Sequence, residues 1–93
     1  MSGDTILLSD CTMRTISDLH QELIQRLSGA GPVPVDRSGV QRPSTALLQL
    51  LVAFVRDLRS QSRSVEWRGE GAAFDRAATS LGLCASLGLP VDT

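Results

Sequence analysis

The sequence predicts an α/β fold: a four-stranded mixed β-sheet with an antiparallel N-terminal edge hairpin and three to four helices packed mainly on one face. Three observations predict it. Short, β-prone apolar runs at residues 5–9, 33–36 and 64–68 alternate with longer segments of helical period. Clusters rich in Gly and Pro at residues 28–32, 69–71 and 88–90 punctuate them. The whole is 93 residues long, one domain over residues 1–93 with a modest core that removes roughly 60–65% of the unfolded surface from water.

Residues 5–9 (TILLS) open the chain as a strand. A tight turn at Ser9-Asp10 followed by Cys11-Thr12-Met13 makes an antiparallel hairpin; the alternative is that Thr12 caps a helix directly. Thr15 then starts the first helix, with Asp18 in its first turn. Ile16, Leu19, Leu23, Ile24 and Leu27 form its apolar stripe, and Gln21, Glu22, Gln25 and Arg26 its wet face. Gly29, Gly31 and Pro32 end it. Val33-Pro34-Val35-Asp36 is the next strand, in which Pro34, lacking a donor, belongs at the beginning or on an unpaired edge.

Ser44 caps a second helix carrying Leu47, Leu48, Leu50, Leu51, Val52, Phe54, Val55 and Leu58. Apolar over more than half its circumference, this helix is central. Arg56, Arg59 and Arg63 suit its carboxyl end. Val65-Glu66-Trp67-Arg68 alternates as a half-buried strand, parallel to the one near Val33 because a strand–helix–strand unit crosses over. Phe74, Ala77, Ala78 and Leu81 mark a third helix. The repeated SLGL of residues 80–83 and 86–89 reads as a helix end at Gly82, a short helical turn, and a stop at Gly88 to Pro90. The expected core is Leu8, Leu19, Leu23, Leu27, Val33, Val35, Leu48, Leu51, Val52, Val55, Val65, Trp67, Phe74, Ala78 and Leu81.

Composition narrows the function. The chain is 42% hydrophobic and 20% charged, with a formal charge of −1. No basic excess argues for nucleic acid. The longest apolar run, Leu50 to Val55, is too short to span a bilayer, and the N-terminus has no charged-then-apolar signal pattern. Cys11 and Cys84 make neither a disulfide framework nor a metal-ligand spacing, which reads as a cytoplasmic protein with two reduced thiols. Every basic side chain is Arg, and Lys, Tyr and Asn are absent, as in a GC-rich bacterial coding sequence.

Catalytic chemistry is poorly provided for. His20 is the only histidine, and no segment offers it a nucleophile with an orienting partner. No Ser lies in a GxSxG turn. The Gly29-Ala30-Gly31 and Gly69-Glu70-Gly71 turns lack the third Gly or Lys of a phosphate loop, so nothing supports nucleotide binding. Asp36 alone is a weak ligand set for a metal. The expectation is no catalytic residue, no metal and no cofactor. The informative stretch is residues 36–48, which joins the middle strand to the most buried helix, where open α/β sheets bind their ligands.

Here the chain resembles the STAS family of sulphate transporters and anti-sigma-factor antagonists, as a small stand-alone member. The family pattern, V-D-L-S-x-V then D-[ST]-A-G-L-x-L-L, is met by Val35-Asp36-Arg37-Ser38-Gly39-Val40 and by Ser44-Thr45-Ala46-Leu47-Leu48-Gln49-Leu50-Leu51. Cys11-Thr12-Met13, Val65-Glu66-Trp67 with Gly69, and Leu81-Gly82-Leu83 resemble flanking family segments, so the resemblance covers nearly the whole chain. It departs at Ser44, where the family has Asp; at Leu47, where it has Gly; and at Arg37, where it has Leu.

The resemblance implies a non-enzymatic bacterial interaction module acting in signal transduction and transcription regulation. Its partner would be an anti-sigma factor or serine/threonine kinase, bound through Asp36, Ser38, Gly39, Arg42, Pro43, Ser44, Thr45 and Leu47. It places a phosphorylation switch at Thr45, or alternatively Ser44, where Arg42 is near enough in sequence to pair with the phosphate. The alternative role it implies is an accessory subunit of a phospholipid-trafficking ABC transporter, bound to the cytoplasmic ATPase. Read from the residues alone, Ser44-Thr45 is a helix cap, since Ser and Thr are favoured there regardless of regulation. Leu47 either packs inward or adds an exposed apolar contact, and Arg37 and Arg42 form a solvated loop face.

Overall fold

The computed structural model describes residues 5–10 and 13–89. Its elements run β1 (Ile6–Ser9), α1 (Met13–Arg26), β2 (Val33–Gly39), α2 (Thr45–Ser60), β3 (Val65–Arg68), α3 (Ala72–Ser80) and α4 (Cys84–Leu87). The described strands form one sheet in the order β1-β2-β3. Both pairings are parallel: Ile6 stands opposite Val35 in one, and Val33 opposite Val65 in the other.

The parallel β2–β3 pair is as expected; the four-stranded mixed sheet with its antiparallel hairpin is not. β1 lies parallel to β2, and Met13, expected in the returning strand, is already helical. Cys11 and Thr12 lie outside the described residues. The reason is visible in Asp10. Its carboxylate does not serve a turn; it crosses to the β2–α2 connection, where Oδ1 accepts from the amides of Gln41 (2.9 Å) and Arg42 (2.7 Å). α1 begins two residues before Thr15.

Alternation places one face of the sheet against the helices. Ile6, Leu8, Val33 and Val35 are buried on it, with Val65 and Trp67 packed beside them. Leu7, Glu66 and Arg68 point the other way and are exposed. Parallel sheets commonly bury both faces; this one presents acidic and basic side chains on its outer face, including the Arg68–Glu66 ion pair. Pro34 fits a central strand because of where it falls. Val33 donates its amide to Ser64 on the β3 side (3.0 Å), so the nitrogen of Pro34 faces β1, whose register begins only at Val35.

The core gathers Leu19 and Leu23 of α1, Leu47, Leu48, Leu51, Phe54 and Leu58 of α2, Phe74 and Ala78 of α3, and Leu87 of α4. Five expected core residues sit differently. Leu81 is 50% exposed, because α3 stops at Ser80 and the stripe was extended one residue past it. Leu27, Val52, Val65 and Trp67 are half-buried at the core's margin. Ile6, Val40, Leu47, Phe54, Leu58, Leu87 and Leu89 complete it. The tail behaves as the repeated SLGL suggested: α4 is one short turn closed by Gly88 in the left-handed conformation. Trp67 ties it to the sheet, its indole N–H donating to the Leu87 carbonyl at 2.8 Å, and the Trp67 and Phe74 rings lie 5.4 Å apart.

Candidate interaction surface

The β2–α2 connection is anchored by a buried side chain at each end. Val40, directly after β2, is almost completely buried, and Leu47, in the first turn of α2, is 0% exposed. Between and beside them Ser38, Gly39, Gln41, Arg42, Thr45 and Ala46 are exposed, with Pro43 and Ser44 half-buried. Three polar contacts hold this loop from behind. Asp10 accepts the Gln41 and Arg42 amides. Ser44 is the N-cap of α2, its hydroxyl accepting from the Leu47 amide at 3.1 Å. Asp36 accepts at Oδ1 from both the Ser38 amide (2.8 Å) and the Ser38 hydroxyl (2.6 Å). The Ser38 hydroxyl, then its amide, hold the Asp36 carboxyl below its ordinary range, because both donors favour the charged form.

Glycines set how closely the neighbouring chain approaches. A Cβ on Gly39 would stand 2.6 Å from the Leu8 carbonyl oxygen, so only glycine lets β2 end against β1. In the β3–α3 turn a Cβ on Gly71 would stand 2.7 Å from Cγ of Arg37. The Gly69-Glu70-Gly71 turn is thus shaped by the Asp36 and Arg37 side chains beneath it.

Two expectations are corrected here. Leu47 offers no exposed apolar contact: its side chain fills the core beneath the helix start. Arg37 does not share a solvated loop face with Arg42. Its side chain is 11% exposed and grips Asp75 with two parallel hydrogen bonds, Nε to Oδ1 at 2.8 Å and Nη2 to Oδ2 at 3.2 Å. That pair joins β2 to the first turn of α3. Of the other residues singled out from sequence, Arg42 and Thr45 stand exposed on either side of the cap, Ser38 and Gly39 are exposed at the strand end, and Asp36, Pro43 and Ser44 are half-buried. Asp10 and Asp75 are parts of this region that the sequence does not mark, since each acts across a sequence separation that no local pattern encodes.

His20 is exposed on α1, remote in the chain from the loop. Among the described residues no three His, Cys, Asp or Glu side chains gather to hold a metal ion. Cys84 is not in a disulfide; its sulfur lies 3.3 Å from the Thr79 hydroxyl. No helix of the described residues is long and apolar enough to cross a membrane.

No curated protein and no solved structure matches the chain. A family model does: the one described as "Mlab, STAS domain" matches residues 6–88, a span that takes in the whole sheet, all four helices and the β2–α2 connection. The chain belongs to the STAS-domain family.

Proposed function

We propose that this STAS domain is a non-enzymatic regulatory module that docks a protein partner through the exposed part of residues 38–46. STAS domains are in general interaction modules without enzymatic activity. The observation that carries the reading is an exposed loop and helix start fixed from behind by Asp10, Ser44, Val40 and Leu47. A surface already held in one conformation gives up less entropy on binding, so a small contact area suffices.

The partner we favour is an anti-sigma factor or serine/threonine kinase in the cytoplasm, with Thr45 as the switch. Thr45 is exposed at the first position of α2, and a phosphate there would sit at the positive end of the helix dipole with Arg42 in the same loop. Ser44 is the poorer acceptor, since its hydroxyl is engaged in the cap. One observation favours a second reading. Ser44 stands where the STAS pattern has Asp, which suits a permanent contact, as in an accessory subunit on the ATPase of a phospholipid-trafficking ABC transporter.

Affinity capture with the wild-type chain and with Arg42→Glu and Thr45→Glu tests both. Loss of one defined partner in the two variants supports docking at this loop, and the partner's identity, kinase or transporter ATPase, decides between the readings. Transfer of one phosphate from a captured kinase, abolished in Thr45→Ala, supports the switch. Partners retained unchanged by both charge variants overturn the docking site.

A further inference from the structure

A different surface, independent of the β2–α2 loop, is the outer edge of the sheet. β1 ends the sheet among the described residues. Its register fixes which backbone groups are turned outward. Val33 donates toward β3, so Val35 does likewise, and Ile6, opposite Val35, turns its own amide and carbonyl inward to β2. The backbone of Leu7 therefore faces away from the sheet. Its side chain, on the face without helices, is 74% exposed, the most exposed large apolar group described. Natural edge strands are commonly blunted by a charge or a proline; this one reads Ile6-Leu7-Leu8-Ser9.

Beside the edge runs a groove of about 210 Å³ between β1 and α1, lined by Leu7, Leu8, Thr15, Asp18, Leu19 and Glu22. The α1 residues fall at positions i, i+3, i+4 and i+7, one stripe of the helix. Its two carboxylates, Asp18 and Glu22, are exposed and enter neither of the ion pairs found among the described residues. Among the residues whose side chains are described, none lining the groove is basic.

We propose that the β1 edge accepts an extended segment of a partner protein as an added strand, and that the segment carries Arg or Lys side chains over the Asp18–Glu22 stripe. Main-chain hydrogen bonds to the outward groups of Leu7 supply the pairing, and the acidic stripe supplies its charge preference. A second copy of this chain is the poorer occupant: antiparallel pairing of two β1 strands brings the two acidic stripes of α1 to the same joined edge.

The test uses the full chain, ¹⁵N-labelled, and an acetylated, amidated peptide of alternating Arg and Val. The expected result is saturable binding, with slowed exchange of the Leu7 amide. Affinity should fall roughly tenfold in the exposed-site variant Asp18→Lys/Glu22→Lys, and binding should be lost with a peptide N-methylated along one edge. No binding, undiminished binding to the lysine variant, or equal binding of the N-methylated peptide overturns the proposal. So does Leu7 protection that rises with protein concentration in the absence of peptide, which would assign the edge to a second copy.

Discussion

Each end of the sheet carries an arginine that ties two elements together, and the two arginines work differently. At the amino end of the strands, Arg63, just before β3, faces backbone. Its Nε donates to the Gly31 carbonyl (2.9 Å), Nη1 to Leu27 (3.2 Å) and Nη2 to Arg26 (3.1 Å), while Nη1 also meets the Gln61 side chain (2.8 Å). One guanidinium thus donates to carbonyls at and beyond the end of α1, where positive charge also suits the helix dipole. At the carboxyl end, Arg37 faces a side chain, Asp75, and binds it bidentately. The first arrangement ties the segment after α1 to the turn before β3 through main chain. The second braces β2 against α3 and leaves Gln41, Arg42, Thr45 and Ala46 exposed outside the clasp.

The sharpest way to break this contrast is to attack the anchor beneath the open end. Leu47→Ala removes a side chain with no exposure from the core, and the expected cost is about 2–5 kcal/mol. Thr45→Ala, two residues away and exposed, should leave the denaturation midpoint almost unchanged. Urea titration of both variants measures the difference. Equal, small effects would mean that the loop is not anchored through Leu47. A partner-binding defect in Leu47→Ala is to be read as unfolding unless the midpoint is intact.

Next in size is the arginine contrast itself. Arg63→Ala strips three carbonyls of a charged donor and should cost about 1.5–3 kcal/mol. Arg63→Lys should recover little of it, because an ammonium cannot span the fork. Arg37→Leu, which restores the residue of the STAS pattern, should be neutral or stabilising by about 1 kcal/mol. Its partner Asp75 has a side chain 41% exposed and can return to water. Thermal melts of the three variants check the order; Arg37→Leu as damaging as Arg63→Ala would remove the distinction drawn between the two ends.

The elements that sequence alone predicted well are those whose signal is local. α2 announces itself through an apolar stripe and a Ser cap, and Ser44 does accept the Leu47 amide. β3 alternates because one face is wet, and Gly88 closes α4 with a left-handed turn. What escaped prediction depends on distant partners. The direction of β1 is set by which strand it meets, and four residues carry no mark of that. Asp10 acts on amides 31 and 32 residues away, and Arg37 on a carboxylate 38 residues away. The site was legible as a segment, since residues 36–48 could be placed between a strand and a buried helix. Its facing was not. Leu47 allows both a core and an exposed reading, and only the packing of α2 on the sheet decides that it turns inward.

The cap separates the capping and switching roles of the Ser44-Thr45 pair. Ser44→Ala should lose about 1 kcal/mol, the ordinary cost of an N-cap hydroxyl, and Ser44→Asp should recover it, since a carboxylate accepts the Leu47 amide as well and favours the helix start. Chemical denaturation reads both. A Ser44→Ala variant as stable as wild type would mean that the hydroxyl is not what orders the start of α2.

The smallest effect lies at the other edge of the loop, in the Asp36–Ser38 contact. The folded-state pKa of Asp36 is lowered, so the contact's contribution is complete at pH above the unfolded carboxyl's value of about 3.9 and is lost as pH falls through the lower folded value. Ser38→Ala removes the hydroxyl, the larger cause, and keeps the amide, so the Asp36 pKa should move part of the way back toward an ordinary carboxylate. A ¹³C NMR titration of the side-chain carboxyl follows it directly. An Asp36 pKa indifferent to the loss of the hydroxyl would show that the strand end is ordered by the main chain alone. The open end of the sheet would then owe its shape to Asp10 and the Arg37–Asp75 brace, with nothing contributed by its own exposed serine.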